Sequence, residues 1–179
     1  MQSDMPEGEI IVPADKLRVR IGELAREIAP RTENMVFVGL LEGGRRFCEA
    51  LLDKLHQPPP VIWIKARSYG GRTQSSGSVQ IENFDASRVA GKDVLLIDDI
   101  YDTGRTLHAV SERLRACGAR SVTVCVMILK RTRRAYAIPI HYAGFEAEDR
   151  FLIGFGLDYR GACRDLDDII AVDHSAPRG

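Results

Sequence analysis

Apolar positions along the chain keep two rhythms that take turns. Mostly unbroken apolar runs at 35–41, 61–66, 94–97 and 122–129 suit strands buried on both faces of a parallel sheet. Between them lie stripes at helical spacing. One joins Leu17, Ile21, Leu24, Ala25 and Ile28 and stops before Pro30. A second joins Phe47, Ala50, Leu51 and Leu55, and a third joins Leu107, Val110, Leu114 and Cys117, with Gly118 as the C′ residue. Shorter pieces at 10–12, 140–145, 151–157 and 169–172 predict further strands. Pro58, Pro59 and Pro60 form a stiff spacer.

One segment follows neither rhythm. Residues 67–78 read RSYGGRTQSSGS, a glycine- and serine-rich loop of a length that is usually functional or disordered. Val79 and Ile81 after it predict a short return strand. Elsewhere the alternation of strands and helices predicts an α/β fold, a mostly parallel twisted sheet flanked by helices. No internal repeat and no second unit large enough to stand alone occurs, so residues 1–179 read as one domain. Ligands of such sheets bind at the carboxyl ends of the strands. The segments after 41, 66, 97 and 129 should therefore converge on one edge.

Charge and cysteine content narrow the setting. With 25 basic and 25 acidic side chains the formal charge is zero, and nothing global points to nucleic acid or a membrane surface. Cys48, Cys117, Cys125 and Cys163 are far apart, without zinc-site spacing, and the first three sit among apolar neighbours as core thiols of a reducing compartment. The acidic N-terminus lacks a signal-peptide apolar segment, and no run approaches membrane-spanning length. The expectation is a cytoplasmic protein with no nucleic-acid or membrane partner.

The chemistry concentrates at 94–107, VLLIDDIYDTGRTL. Asp98, Asp99 and Asp102 crowd three carboxylates into five positions where the apolar run ends. Thr103, Gly104, Arg105 and Thr106 then open a helix, whose N–H groups and dipole favour an anion. The acids would repel that anion, so they face another part of the ligand, such as vicinal sugar hydroxyls or a magnesium ion. A sugar phosphate satisfies both halves.

This stretch resembles the signature of the type I phosphoribosyltransferases, and Asp at position 102 is most similar to the hypoxanthine-guanine branch. The resemblance runs from about Ile10 to Val172, with the family motifs in order. It implies a core at about 10–145 and a small C-terminal hood at about 146–179, joined by N-terminal residues. It also implies that Asp98 and Asp99 hold the ribose hydroxyls of phosphoribosyl pyrophosphate, and that the segment from Asp102 to Thr106 binds its 5′-phosphate. Leu41, Glu42 and Gly43, before Gly44, match the loop whose amides receive pyrophosphate, although the glycines alone fit a tight turn equally well. The peptide before Glu42 can be cis in this family. Relatives commonly carry Lys or Arg at position 42, so Glu42 is expected to point away or to pair with Arg45 or Arg46.

The remaining roles are implied in the same way. Ser68 and Tyr69 would open a lid over the reacting centre, against the alternative of a surface hairpin. Lys130 would donate to the oxygen of a 6-oxopurine. Phe151, which alone reads as core, would stack on the purine, and the Leu152 carbonyl would read its pyrimidine edge. Asp158 would help hold magnesium, with Asp98 and Asp99 as further candidate ligands, and Arg164 would meet pyrophosphate. Asp102 would face N7 as general base, or cap the following helix. The implied activity is magnesium-dependent purine salvage with hypoxanthine and guanine by a homodimer or homotetramer. A xanthine-preferring enzyme and an RNA-binding regulator on the same fold are the alternatives.

Overall fold

The computed structural model describes residues 7–68, 79–82, 84–132, 135–159 and 161–172. In chain order these form β1 (Gly8–Val12), α1 (Ala14–Ile28), a 3-10 turn (Ala29–Asn34), β2 (Met35–Leu41), α2 (Gly44–Leu52), β3 (Val61–Ser68) and β4 (Val79–Ile81). After these come β5 (Asp93–Tyr101), α3 (Arg105–Ala116), β6 (Ser121–Lys130), β7 (Tyr142–Ala147), β8 (Phe151–Ile153) and β9 (Ile169–Val172).

The main sheet has six strands in the order β4-β3-β2-β5-β6-β7, parallel except for the antiparallel return strand β4. Period-two alternation sorts its side chains. Phe37, Leu95, Ile97, Cys125 and Met127 pack with α1 and α2, whereas Val36, Val38, Leu96, Val124 and Val126 pack with Val110 and Leu114 of α3. Both faces are thus covered, as the apolar runs require. Phe37 is fully buried, and its truncation to alanine would cost about 3–5 kcal/mol. Gly118 closes α3: its N–H bonds the Arg115 carbonyl at 2.9 Å, and the Ala119 N–H reaches Leu114 at 3.2 Å.

A second, three-stranded antiparallel sheet runs β1-β9-β8 and joins the two ends of the described chain. The α1 N-terminus has no cap from Pro13, and Asp168 supplies one instead by accepting from the Ala14 N–H at 2.7 Å. That contact fixes the small sheet to the start of α1.

Several boundaries differ from the sequence reading. The apolar run 94–97 is only the middle of β5, because the ten-residue β6 keeps pairing with it through Tyr101 and Leu129. Asp98 and Asp99 therefore lie within a strand rather than in a loop after it. Leu55 is buried but lies beyond α2, which closes with Lys54 N–H to Leu51 O at 3.1 Å. The piece at 151–157 is strand only to Ile153, since Gly154, Phe155 and Gly156 all take positive φ and reverse the chain.

Candidate active site

Because β2, β3, β5 and β6 are parallel, their carboxyl ends at Leu41, Ser68, Tyr101 and Lys130 share one edge. The last pleats of β5 bring Asp98 and Asp99 there, with the Asp99 N–H donating to Asp98 Oδ1 at 3.0 Å. Burial pushes the Asp98 carboxyl well above the usual carboxylate range, and the neighbouring Asp99 charge adds to it. Burial also raises Asp99, while bonds to its carboxylate and the Arg164 charge act in the opposite direction. Two adjacent acids that resist ionisation suit hydroxyl donors or a cation.

Residues Asp98 to Leu107 line a cavity of about 240 Å³. Gly104, at φ 81°, is the N-cap of α3 and turns the open N–H groups of the helix toward the cavity. A Cβ at Gly104 would strike the Tyr136 carbonyl. The loop is braced from outside: the Thr103 carbonyl accepts from the Ala135 and Tyr136 N–H groups, each at 3.1 Å. Buried Tyr101 donates its hydroxyl to Tyr136 O and accepts from the Ile138 N–H, both at 3.0 Å. Arg105 Nε is buried beside this cavity with no hydrogen-bond partner among the described residues.

Asp102 does not cap α3. Its Oδ2 lies 3.2 Å from Lys130 Nζ, and Thr132 Oγ1 donates to its carbonyl at 3.5 Å. The capping alternative fails because Gly104 occupies the N-cap, without any side-chain bond, and β5 carries Asp102 toward the end of β6. The Lys130 side chain is only 9% exposed, and its ammonium also meets Asp149 at 3.5 Å.

The Leu41–Glu42 peptide is cis, and Gly43 follows against Asp99; a Cβ on Gly43 would overlap the Asp99 carboxylate. Glu42 pairs with neither Arg45 nor Arg46. It meets Lys65 at 3.7 Å, since Leu41 and Lys65 are register partners on β2 and β3. Arg45 is taken by Glu49, one helical turn on, at 2.8 Å, and Arg46 by Asp167.

On the opposite side, Phe151 is 39% exposed with its ring edge-on to Tyr159, 6.0 Å between centroids. Leu152 is buried in β8 beside Ala171. Asp158 accepts from the Gly161 N–H at 3.1 Å and lies 3.3 Å from Arg164 Nε, while Arg164 Nη1 donates to Gly156 O at 2.8 Å. Of the loop expected at 67–78, the backbone of Arg67 and Ser68 instead completes β3, and Tyr69 and the rest of the expected lid lie outside the described residues.

Three residues near the site escaped sequence-based expectation, Lys65, Tyr101 and Asp149, and Arg46 was expected only as a partner of Glu42. Lys65 carried a detectable signal, as the one charge within a strand run. The others are ordinary in sequence, and their contacts depend on tertiary placement alone.

Fold and site together define a transferase of phosphorylated ribose. The chain belongs to the phosphoribosyl transferase domain family, whose model matches residues 10–160. It is similar to the hypoxanthine phosphoribosyltransferase of Salmonella typhimurium, 35% identical over 162 residues that cover 88% of this chain and 91% of the relative. The hypoxanthine-guanine phosphoribosyltransferase of Dictyostelium discoideum is 33% identical over 164 residues, again with 88% and 91% covered. Among solved structures, a hypoxanthine phosphoribosyltransferase from Staphylococcus aureus superposes with a TM-score of 0.85 at 30% identity, covering 92% of this chain and 91% of that one.

Proposed function

We propose that the chain is a purine salvage enzyme that moves the 5-phosphoribosyl group of phosphoribosyl pyrophosphate to N9 of hypoxanthine, and of guanine, giving IMP or GMP and pyrophosphate. The observation that carries this reading is the ion pair of Lys130 with Asp102 beside the cavity at 98–107. A donor-only ammonium selects a C6 carbonyl over an amino group, and the adjacent carboxylate can take a proton from N7.

The reaction forms a bond between N9 and ribose C1 as the bond from C1 to the pyrophosphate oxygen breaks, and its electron pair leaves with pyrophosphate. The purine proton passes to Asp102. Thr103, Gly104, Arg105 and Thr106 hold the 5′-phosphate with amides, hydroxyls and the guanidinium, and Asp98 and Asp99 accept from the ribose hydroxyls. Leu41, Glu42 and Gly43 offer amides to pyrophosphate, Arg164 offers charge, and Phe151 stacks on the base against the Leu152 carbonyl. Ser68 and Tyr69 begin a lid, and the small sheet β1-β9-β8 serves as a hood.

The acids fit a divalent cation. No group of three protein ligands occurs among the described residues. Magnesium is commonly held by one or two carboxylates together with substrate phosphates, and half-buried Asp98 and Asp99, with Asp158, supply that kind of donor set. Bound there, magnesium would neutralise charge on the pyrophosphate. The free state of Cys48, Cys117, Cys125 and Cys163 supports a cytoplasmic setting. Homodimeric or homotetrameric assembly rests on the family resemblance.

The test is conversion of hypoxanthine to IMP with phosphoribosyl pyrophosphate, followed spectroscopically. Activity that vanishes with EDTA and returns with Mg2+ supports the reading; no nucleotide under any metal condition overturns it.

A further inference from the structure

Arg46 lies in the first turn of α2, directly after the Glu42-Gly43-Gly44 turn, yet its side chain serves a different part of the chain. Its Nη1 donates to the carbonyls of Arg164 at 3.0 Å and Leu166 at 2.5 Å, and its Nη2 pairs with Asp167. The guanidinium also lies over the Phe155 ring, 5.0 Å from its centroid. The two carbonyls are already partners of the neighbouring turn: Gly156 N–H donates to Arg164 O at 2.9 Å, and Phe155 N–H to Leu166 O at 2.8 Å. Arg46 therefore completes a closed set of bonds around the backbone that carries Arg164.

That backbone is pressed against the other half of the site. A Cβ on Gly156 would strike the Gly43 carbonyl, so the 154–157 turn touches the loop that begins α2. Arg164 reaches back to Gly156 O and to Asp158, and its charge acts on Asp99. Arg46 is the side chain through which α2 holds the far side of this contact.

We propose that Arg46 is a positioning residue: acting through Arg164, it sets the distance and angle between the Leu41–Gly43 amides and the Arg164 guanidinium, and so the affinity for the pyrophosphate group. The inference rests on the phosphoribosyl-transfer reading above. The fork matters as much as the charge, because a planar guanidinium can serve two carbonyls, a carboxylate and a ring at once, and a lysine ammonium cannot.

Initial rates of the full-length protein with magnesium test this in Arg46→Met and Arg46→Lys, with each substrate varied separately and inorganic pyrophosphate as product inhibitor. In Arg46→Met, the KM for phosphoribosyl pyrophosphate and the inhibition constant for pyrophosphate should rise together by about tenfold or more, while the KM for hypoxanthine stays within about twofold. Arg46→Lys should fall between the two proteins. If Arg46→Met does not fold, Arg46→Lys alone decides, with a rise of roughly threefold confined to the two pyrophosphate-bearing constants. Both KM values moving together, or neither moving, would overturn the proposal by reducing Arg46 to a structural tie. A wild-type protein that makes no nucleotide is a different result, which removes the reading beneath it.

Discussion

Lys130 Nζ lies 3.2 Å from Asp102 Oδ2, so a single ion pair joins the residue assigned to the purine oxygen and the residue assigned to the purine proton. The pair links the residue just after β5 to the last residue of the adjacent β6, and the lysine is almost enclosed. In the proposed roles, each partner would orient the other toward one ring edge of the base, where O6 and N7 are neighbours. Asp102→Asn keeps the shape and removes the proton acceptor. Turnover should fall by about 10²–10⁴ with only a modest change in KM for either substrate. A near-normal turnover rate would remove Asp102 as the base.

Lys130→Gln tests the other half of the pair. An amide both donates and accepts, so it tolerates a 6-amino group that an ammonium rejects. The preference for hypoxanthine over adenine, as a ratio of kcat/KM, should drop by at least about a hundredfold. A ratio that does not move would place selection elsewhere on the purine edge.

Asp98 and Asp99 set function against stability. A carboxyl whose folded pKa is raised keeps a proton that the unfolded chain has released, so stability falls as pH climbs through the interval between the two values. Asp98→Asn removes that cost. In magnesium-free buffer at pH 7 it should gain on the order of 1 kcal/mol, a rise in Tm of several degrees. The same variant should bind phosphoribosyl pyrophosphate roughly tenfold to a hundredfold more weakly, because charge-assisted hydrogen bonds are lost. Calorimetry on one sample measures both.

His141 gives the fold a pH dependence of the opposite sign. Its Nδ1 accepts from the Val124 N–H at 3.1 Å, and burial, with Arg115 and Arg31, lowers its pKa from the ordinary 6.5. Above that value both folded and unfolded states are neutral and the contribution is complete. As pH falls through it, the unfolded chain takes a proton that the folded one refuses, and stability declines until the folded pKa is passed. Only a few tenths of a kcal/mol, roughly, are at stake, because solvent screens the largely exposed imidazole. His141→Asn retains an acceptor without titrating, so urea unfolding at pH 8 and pH 5 should differ less in the variant than in the wild type.

Much of this was legible in the sequence because the parallel sheet writes itself in apolar runs. β2 and β9 coincide with their predicted spans, and Asp98, Asp99 and the Thr103–Thr106 segment line one cavity. What stayed hidden was partner choice. The sequence offered Arg45 and Arg46 to Glu42 because they are near in the chain, but strand register delivered Lys65 instead. Asp102 read as a possible cap because it precedes a helix, but β6 placed an ammonium beside it. Arg46, offered to Glu42 in the same way, holds two carbonyls more than a hundred positions away. Local patterns report secondary structure well. They do not report which long side chains meet across strands.

Phosphoribosyl transfer to a 6-oxopurine is measured most directly as pyrophosphate release from phosphoribosyl pyrophosphate with hypoxanthine, guanine, adenine or no base, with and without Mg2+. Release should require magnesium and a 6-oxopurine, with adenine close to the no-base control. Release with adenine equal to that with hypoxanthine, or no release with any base, would contradict that assignment.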